Sequence, residues 1–318
     1  MASTTPRYTK RTVTTSDGVA LAVSDYGCNA SAAHTVVLLH GLCLNQTSWR
    51  IPVGHLIRQW GREIRIIAYD HRGHGNSARA PMRTYRIEQL ASDLAEVLTT
   101  LRVAGPLTLA GHSMGGMAAL AYLSRPATER PADPTGLVLV ATAAGNIAKR
   151  GLGRLLVTPA ARLLCSLIHY APLHPAEHAV RSLARPVCAA LASAHGYGST
   201  ERSILATISA AAVNTTPLTT AAGFLPSLRA YNVFHALGAI CADTTVISGG
   251  ADVVIPFSHA RDLVAGIPGA THVHQLAAGH MLLDEAPYVV SAAINRAIEM
   301  CSIPKTPAGL AHTVAIAG

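Results

Sequence analysis

A serine flanked by glycines, in Gly111-x-Ser113-x-Gly115, lies between a short apolar run and an Ala-rich helical run. The small residues permit a tight turn from strand to helix that projects the serine side chain from the edge of a sheet. The first N–H groups of such a helix, at its positive dipole end, are free to stabilise a developing oxyanion. A serine hydroxyl needs a base to become a good nucleophile. The motif therefore predicts acyl-transfer chemistry at Ser113, provided that a histidine is brought to it.

The expected base is His280, which follows Gly279 near the end of the chain. It lies between a predicted strand at 272–276 and the last predicted helix. This order brings it to the carboxyl edge of a parallel sheet, where the serine is also expected. Asp284 and Glu285 follow too closely to be its partners, and we expect them to favour the N-terminus of the last helix.

The expected acid is Asp252, in Gly249-Gly250-Ala251-Asp252, directly after a predicted strand at 244–248. A carboxylate here would accept from His280 and stabilise the imidazolium that forms. The competing position, residues 141–146 after an earlier strand, has no carboxylate. The sequence therefore predicts a Ser113, His280, Asp252 triad.

Such a site also needs hydrogen-bond donors for the oxyanion. We expect the backbone N–H of Met114, after the nucleophile, and that of Leu42, in the loop that follows His40-Gly41. The candidates for the substrate pocket are His40, Gly41, His112, Leu155 and Met281.

We expect no metal site. His71 and His74 have H-x-x-H spacing, but they lie in a glycine-rich loop with no third ligand in view. His272 and His274 alternate along a predicted strand, where a solvated or core position is the simpler explanation. The acyl-transfer chemistry needs no organic cofactor, and we expect none.

Alternating strands and helices must position these residues. The predicted strands are at 19–26, 35–39, 64–69, 106–110, 137–140, 244–248 and 272–276, and the predicted helices include 87–101, 258–264 and 286–298. This alternation predicts an α/β fold with a mainly parallel sheet and helices on both faces.

The domain organisation follows from an interruption in this alternation. Residues 143–242 are rich in Ala, Leu and Arg, lack convincing strands and are expected to form a helical cap. We therefore predict a core of residues 1–142 and 243–318 with the cap inserted between two strands.

The composition is that of a folded globular chain, with 50% apolar and 13% charged residues among 318. No secretory leader or membrane-spanning stretch is evident, so we expect a cytoplasmic protein. Abundant alanine, and arginine in excess over lysine, fit a GC-rich bacterial genome. The six cysteines are far apart with no C-x-x-C and are expected to be reduced. They are Cys28, Cys43, Cys165, Cys188, Cys241 and Cys301.

The net charge is +8, and most of the excess lies in the predicted cap. Arginines mixed with large aliphatics at 150–168 raise the hypothesis of a basic amphipathic lid that rests on an anionic membrane. Leucines packed on the core and solvated arginines would explain the pattern equally well. Nucleic-acid binding is disfavoured because there is no recognisable module and only 4% of residues are aromatic.

Five motifs in order resemble the α/β-hydrolase superfamily, in its esterase, lipase and haloperoxidase-like branch. They are His40-Gly41, Asp70-His71-Arg72-Gly73-His74-Gly75-Asn76-Ser77, Gly111-His112-Ser113-Met114-Gly115-Gly116, Gly249-Gly250-Ala251-Asp252 and Gly279-His280. The resemblance implies an eight-stranded, mostly parallel core and a serine, histidine and aspartate triad. It also implies that the 70–77 loop borders the site. The superfamily's epoxide hydrolases and haloalkane dehalogenases have an aspartate where this chain has Ser113, so those activities are disfavoured.

The leading hypothesis is a hydrolase of carboxylic esters, with a small-molecule or lipid-like acyl ester as substrate. The Gly-His-Ser-Met-Gly-Gly motif suggests a monoacylglycerol-type lipase. A thioesterase, a carbon–carbon bond hydrolase and a perhydrolase share the same triad and stay open. A receptor of this fold with slow turnover is the alternative from another class.

Overall fold

The structure is a computed structural model that describes residues 8–27, 32–157 and 216–302. Eight strands form one sheet in the order β1-β2-β4-β3-β5-β6-β7-β8. They are β1 Thr9–Thr14, β2 Ala20–Tyr26, β3 His34–Leu39, β4 Ile64–Tyr69, β5 Leu107–His112, β6 Gly136–Val140, β7 Asp243–Gly249 and β8 Thr271–Gln275. The helices are α1 Arg50–Trp60, α2 Ile87–Thr100, α3 Met114–Leu123, α4 Leu218–Ala230, α5 Phe234–Leu237, α6 Phe257–Gly266, α7 Leu282–Glu285 and α8 Pro287–Ser302.

Strands β4, β3, β5, β6, β7 and β8 pair in parallel, whereas β2 pairs antiparallel with both of its neighbours, β1 and β4. Strands β3, β5 and β6 are buried along their whole length, as expected of central parallel strands covered on both faces. This explains why their sequences are continuous apolar runs rather than alternating ones. The expected α/β fold with an eight-stranded, mostly parallel sheet is confirmed.

Helices cover the sheet on both faces. Residues of α2, α3 and α6 pack in one core cluster with the strands, and residues of α1 and α8 pack in the other. The buried positions of α2 include Ile87, Leu90, Leu94 and Leu98 at helical spacing, which is the pattern that predicts it. With both faces covered, the carboxyl ends of the strands are left as the place for a site.

The ends of the predicted cap are described, whereas its middle, residues 158–215, lies outside the described residues. Two short 3-10 helices, Ile147–Lys149 and Gly151–Val157, follow β6, and α4 leads back towards the sheet. Gly145 and Asn232 form an isolated bridge, and the Val233 N–H donates to the Ala144 carbonyl at 2.8 Å. The two ends of the segment are therefore adjacent, as an insertion between β6 and β7 requires.

A membrane span requires a helix of sufficient length and apolar character. Within the described ranges, no helix is both long and apolar enough to cross a bilayer.

Candidate active site

Ser113 lies at a strained turn between β5 and α3. Its φ of 52° is in the left-handed region, which non-glycine residues adopt only when the surroundings impose it. The Ser113 N–H donates to the Val140 carbonyl at 2.9 Å, and the Thr142 hydroxyl donates to the Ser113 carbonyl at 2.7 Å. A side chain at Gly115 would collide with the Leu39 carbonyl oxygen, so only glycine lets α3 begin this close to β3. These contacts hold the turn that the motif predicts.

The structure brings together the three residues of the predicted triad. His280 Nε2 lies 3.1 Å from Ser113 Oγ, and His280 Nδ1 lies 2.8 Å from Asp252 Oδ2. A carboxylate only accepts, so Nδ1 carries the hydrogen and Nε2 is free to accept the serine proton. This is the tautomer that general-base chemistry at Ser113 needs.

The Asp252 carboxylate is fixed by its own loop. Its Oδ1 accepts the N–H groups of Val254 at 2.9 Å and Ile255 at 2.8 Å, which leaves Oδ2 for His280. The side chain has no exposed surface. Charge-assisted hydrogen bonds therefore hold the acid in one orientation towards the imidazole.

Glu285 is a contributor that the sequence did not reveal. Its carboxylate accepts the Gly279 N–H at 2.6 Å and the Met281 N–H at 3.1 Å, on both sides of His280. We expected this acid to favour the N-terminus of the last helix; its oxygens instead bond the backbone of the histidine loop. An acid five residues after the expected base is the only signal that the sequence offers for this role.

The two expected oxyanion donors lie around Ser113. Met114 is the first residue of α3, so its N–H has no acceptor within the helix. Gly41 packs against the elbow so closely that a Cβ there would lie 3.2 Å from the Ser113 Cβ. The Leu42 N–H follows directly, and no described residue accepts it. Neither N–H has an acceptor among the residues that the structure describes, and Leu42 and Met114 line the same cavity as Ser113.

A cavity of about 220 Å³ opens beside Ser113. Among the candidates for the substrate pocket, Gly41, His112 and Met281 line it, together with Ser113, His280 and both donor residues. Apolar side chains from five segments also line it: Met117, Ile147, Leu152, Leu225, Leu228, Val254 and Ile255.

The other two candidates for the substrate pocket are His40 and Leu155. The His40 side chain does not reach the cavity wall; it is completely buried behind the loop, where backbone groups occupy its ring nitrogens. Leu155 belongs to the helix Gly151–Val157, and its side chain lies outside the described residues.

The histidines around the site are held neutral. Burial lowers the pKa of His40 to about 4 and those of His74 and His112 to about 3. Burial also lowers the pKa of His71 well below its usual value. In the described ranges, no three His, Cys, Asp or Glu side chains are grouped so that they could hold a metal ion. The cysteines at 43, 241 and 301 are free thiols, whereas those at 28, 165 and 188 lie outside the described residues.

The sheet, its helices and the elbow define an α/β-hydrolase. The family model described as serine aminopeptidase, S33 (Hydrolase_4) matches residues 30–287, and the chain belongs to this family.

Curated relatives align over part of the chain. It is 33% identical over 138 residues to the AB hydrolase superfamily protein YisY of Bacillus subtilis, 43% of this chain and 47% of that protein. It is 35% identical over 117 residues to the non-heme chloroperoxidase CPO-A1 of Kitasatospora aureofaciens, 37% and 39% of the two chains. It is 37% identical over 92 residues to the sn-1-specific diacylglycerol lipase ABHD11 of Danio rerio, 29% and 27%. The matches span less than half of each relative.

Solved structures share the fold over nearly the whole chain. The esterase EaEST of Exiguobacterium antarcticum has a TM-score of 0.67 at 23% identity, covering 91% of this chain and 100% of that one. The enol-lactonase of Burkholderia xenovorans has a TM-score of 0.67 at 24% identity, with 91% and 100% covered.

Proposed function

We propose that the protein hydrolyses carboxylic esters of uncharged, apolar acyl groups through an acyl-enzyme at Ser113. The observation that carries the proposal is the continuous hydrogen-bond chain from Ser113 Oγ through His280 to Asp252. Ser113, at one end of this chain, lines an apolar cavity. An activated hydroxyl beside a cavity that binds a hydrocarbon group is what ester hydrolysis of such substrates requires.

In the proposed reaction, Ser113 Oγ attacks the acyl carbon while its proton passes to His280 Nε2. The Leu42 and Met114 N–H groups stabilise the oxyanion. The intermediate collapses, the carbon–oxygen bond to the leaving group breaks, and the departing alkoxide takes the proton from His280. Water then attacks the acyl-enzyme with His280 again as base, which releases the acid and restores Ser113. Asp252 stabilises the imidazolium in both halves.

The cavity wall favours an acyl ester over a peptide with a free amino terminus. An aminopeptidase has to bind a substrate ammonium group, and a buried cation requires a charged or polar partner. None of the described residues that line the cavity is Asp or Glu. A hydrocarbon chain instead gains about 25 cal/mol for each Å² of apolar surface buried there. Activity on lipid-like acyl esters is therefore part of the proposal.

A perhydrolase is a second candidate, favoured by the likeness to the chloroperoxidase CPO-A1. The same acyl-enzyme would then be attacked by hydrogen peroxide and release a peracid. Peroxide-dependent halogenation in acetate buffer would reveal this activity, and its absence with active ester hydrolysis would exclude it.

We also propose that residues 143–242 form a helical cap and that this cap contacts an anionic membrane surface. The excess of basic residues in this segment supports the contact, although Arg150 is already paired with Asp262 at 2.6 Å. Binding to anionic vesicles at low salt that is lost on adding salt would support it. The lack of such binding at low salt would refute it.

The experiment that tests the proposed function is a panel of p-nitrophenyl esters from acetate to decanoate, beside aminoacyl p-nitroanilides. We expect turnover of esters, a preference for chains longer than acetate and no turnover of aminoacyl anilides. Ser113→Ala is expected to abolish turnover. Cleavage of the anilides at a rate similar to the esters would contradict the proposal.

A further inference from the structure

Three buried imidazoles lie behind the turn formed by residues 41–44, and the proposed reaction assigns none of them a step. The ring centroid of His40 is 4.4 Å from that of His71 and 5.2 Å from that of His74. All three side chains are completely buried. Buried polar rings are costly unless their nitrogens are used, so their partners indicate their purpose.

The hydrogen bonds of His40 determine its tautomer. Its Nε2 lies 2.9 Å from the backbone nitrogen of His71, and its Nδ1 lies 2.8 Å from the Gly41 carbonyl oxygen. Because a backbone N–H only donates, Nε2 is the acceptor and Nδ1 carries the hydrogen. His40 therefore donates to the Gly41 carbonyl, and the backbone of His71 holds the ring from its other side.

This bond also sets the direction of the next N–H. The Gly41 carbonyl and the Leu42 N–H belong to one planar trans peptide, in which they point in opposite directions. A donor that holds the carbonyl on the buried side therefore directs the Leu42 N–H to the other side. Gly41 itself packs against Ser113, and both Leu42 and Ser113 line the cavity.

His74 holds the second half of the turn. Cys43 has a φ of 62°, a conformation that costs a non-glycine residue about 1 kcal/mol or more. Its N–H donates to His74 Nε2 at 3.2 Å, and the Leu44 N–H closes the turn on the Gly41 carbonyl at 3.2 Å. His74 Nδ1 then carries the hydrogen and donates to the Arg72 carbonyl at 3.1 Å. The left-handed residue is thus held by an imidazole acceptor.

We infer that His40 and His74 are positioning residues, which, as neutral Nδ1–H tautomers, orient the Leu42 N–H as an oxyanion donor. The inference rests on the proposed function, because it assigns these rings to the transition state of that reaction. Neither ring touches the substrate. Burial keeps both rings uncharged at neutral pH, so Nε2 stays available as an acceptor in each.

Steady-state kinetics on four variants separates positioning from general stability. His40→Leu removes the donor to Gly41, and we expect kcat to fall about 100-fold with KM changed less than about threefold. His74→Leu is expected to lower kcat about tenfold, whereas His74→Gln, which keeps an acceptor for the Cys43 N–H, should retain most of it. The matched control is His34→Leu, which removes a buried imidazole bonded to Thr108 at the opposite end of β3.

The Ki of a trifluoromethyl ketone inhibitor measures directly how well the site stabilises the oxyanion. Ser113 Oγ adds to its carbonyl carbon, His280 takes the hydroxyl proton, and the ketone oxygen becomes an anion at the proposed donors. We expect its Ki to rise in the two leucine variants by the same factor as kcat/KM falls, with no rise in His34→Leu. Equal effects in all three leucine variants, or a wild-type Ki in His40→Leu, would overturn the inference.

If the leucine variants do not fold, the wild type still tests the inference. Long-range ¹H–¹⁵N correlation spectra at pH 7 should show both imidazoles protonated at Nδ1, with His74→Gln used for assignment. An Nε2–H tautomer at either ring would overturn it. A wild type that does not react with a fluorophosphonate would instead remove the proposed function, whereas a reactive wild type with unaffected variants would remove this inference alone.

Discussion

His112 donates its Nε2 hydrogen to the backbone carbonyl of His280 at 2.9 Å, across 168 positions of sequence. The residue before the expected nucleophile therefore holds the loop of the expected base. The His112 ring is fully inside the protein, and its pKa is lowered to about 3 by burial, so it stays neutral. The position of His280 relative to Ser113 thus depends on a bond between the His112 side chain and the His280 backbone.

Replacing His112 with leucine should misplace the base without removing it. We expect kcat for a p-nitrophenyl ester to fall between about 10- and 100-fold, because small errors in position at a reacting centre are costly. His112→Gln, which retains a donor, should lose less. Equal losses in the two variants, with both proteins folded by circular dichroism, would contradict the role assigned to this bond.

Glu285 should matter to the rate although it lies outside the triad. Glu285→Ala frees the N–H groups of Gly279 and Met281, and we expect kcat to fall about tenfold with little change in KM. The neighbouring acid Asp284 provides the control, since Asp284→Ala leaves both bonds intact. A kcat for Glu285→Ala equal to that of the Asp284 variant would show that the loop does not need the carboxylate.

Much of this site could be predicted from the sequence, because each of its parts follows a strand. Runs such as 64–69 carry a clear apolar pattern, and parallel strands bring their carboxyl ends to one edge, so Ser113, Asp252 and His280 could be placed together. The donors at Leu42 and Met114 follow from the same logic.

The missed features depend on side-chain direction and packing. Helix α1 was not predicted, because Pro52 and Gly54 lie within Arg50–Trp60 and weaken its helical pattern. His40 was expected in the pocket, but side-chain direction after a strand is not readable from spacing, and its ring turns inward. The link from Glu285 to the backbone around His280 depends on how a short helix folds back on that loop.

Stability should fall below pH 6.5. The unfolded chain binds protons at its histidines near pH 6.5, whereas burial holds the pKa of His40 at about 4 and those of His74 and His112 at about 3. The unfolded state therefore binds more protons as the pH falls from 6.5 to 4, and each ring costs up to about 1.4 kcal/mol of unfolding free energy per pH unit. Above pH 6.5 the three rings contribute no pH dependence.

Urea unfolding at pH 7.5 and pH 5.0 measures this loss. His112→Gln removes one of the three rings, so the drop in unfolding free energy between the two pH values should be smaller by about 1 to 2 kcal/mol than in the wild type. An identical drop in both proteins would mean that His112 is not held neutral.

The cavity should set the preference for acyl length. Leu228 lies on α4 and lines the cavity, so Leu228→Trp should fill part of it. We expect kcat/KM for octanoate esters to fall at least about tenfold while that for acetate changes less than about threefold. Ala230→Trp on the exposed side of the same helix is the control. A uniform loss across chain lengths would show that this wall does not contact the acyl group.

The most direct test of the central claim is covalent labelling by a fluorophosphonate, followed by peptide mass spectrometry. We expect one adduct, on Ser113, which forms rapidly in the wild type and is absent in Ser113→Ala. In Asp252→Asn its formation should be slowed about 10³-fold. A folded wild type that forms no adduct, or an adduct that persists in Ser113→Ala, would contradict the assignment of Ser113 as the nucleophile.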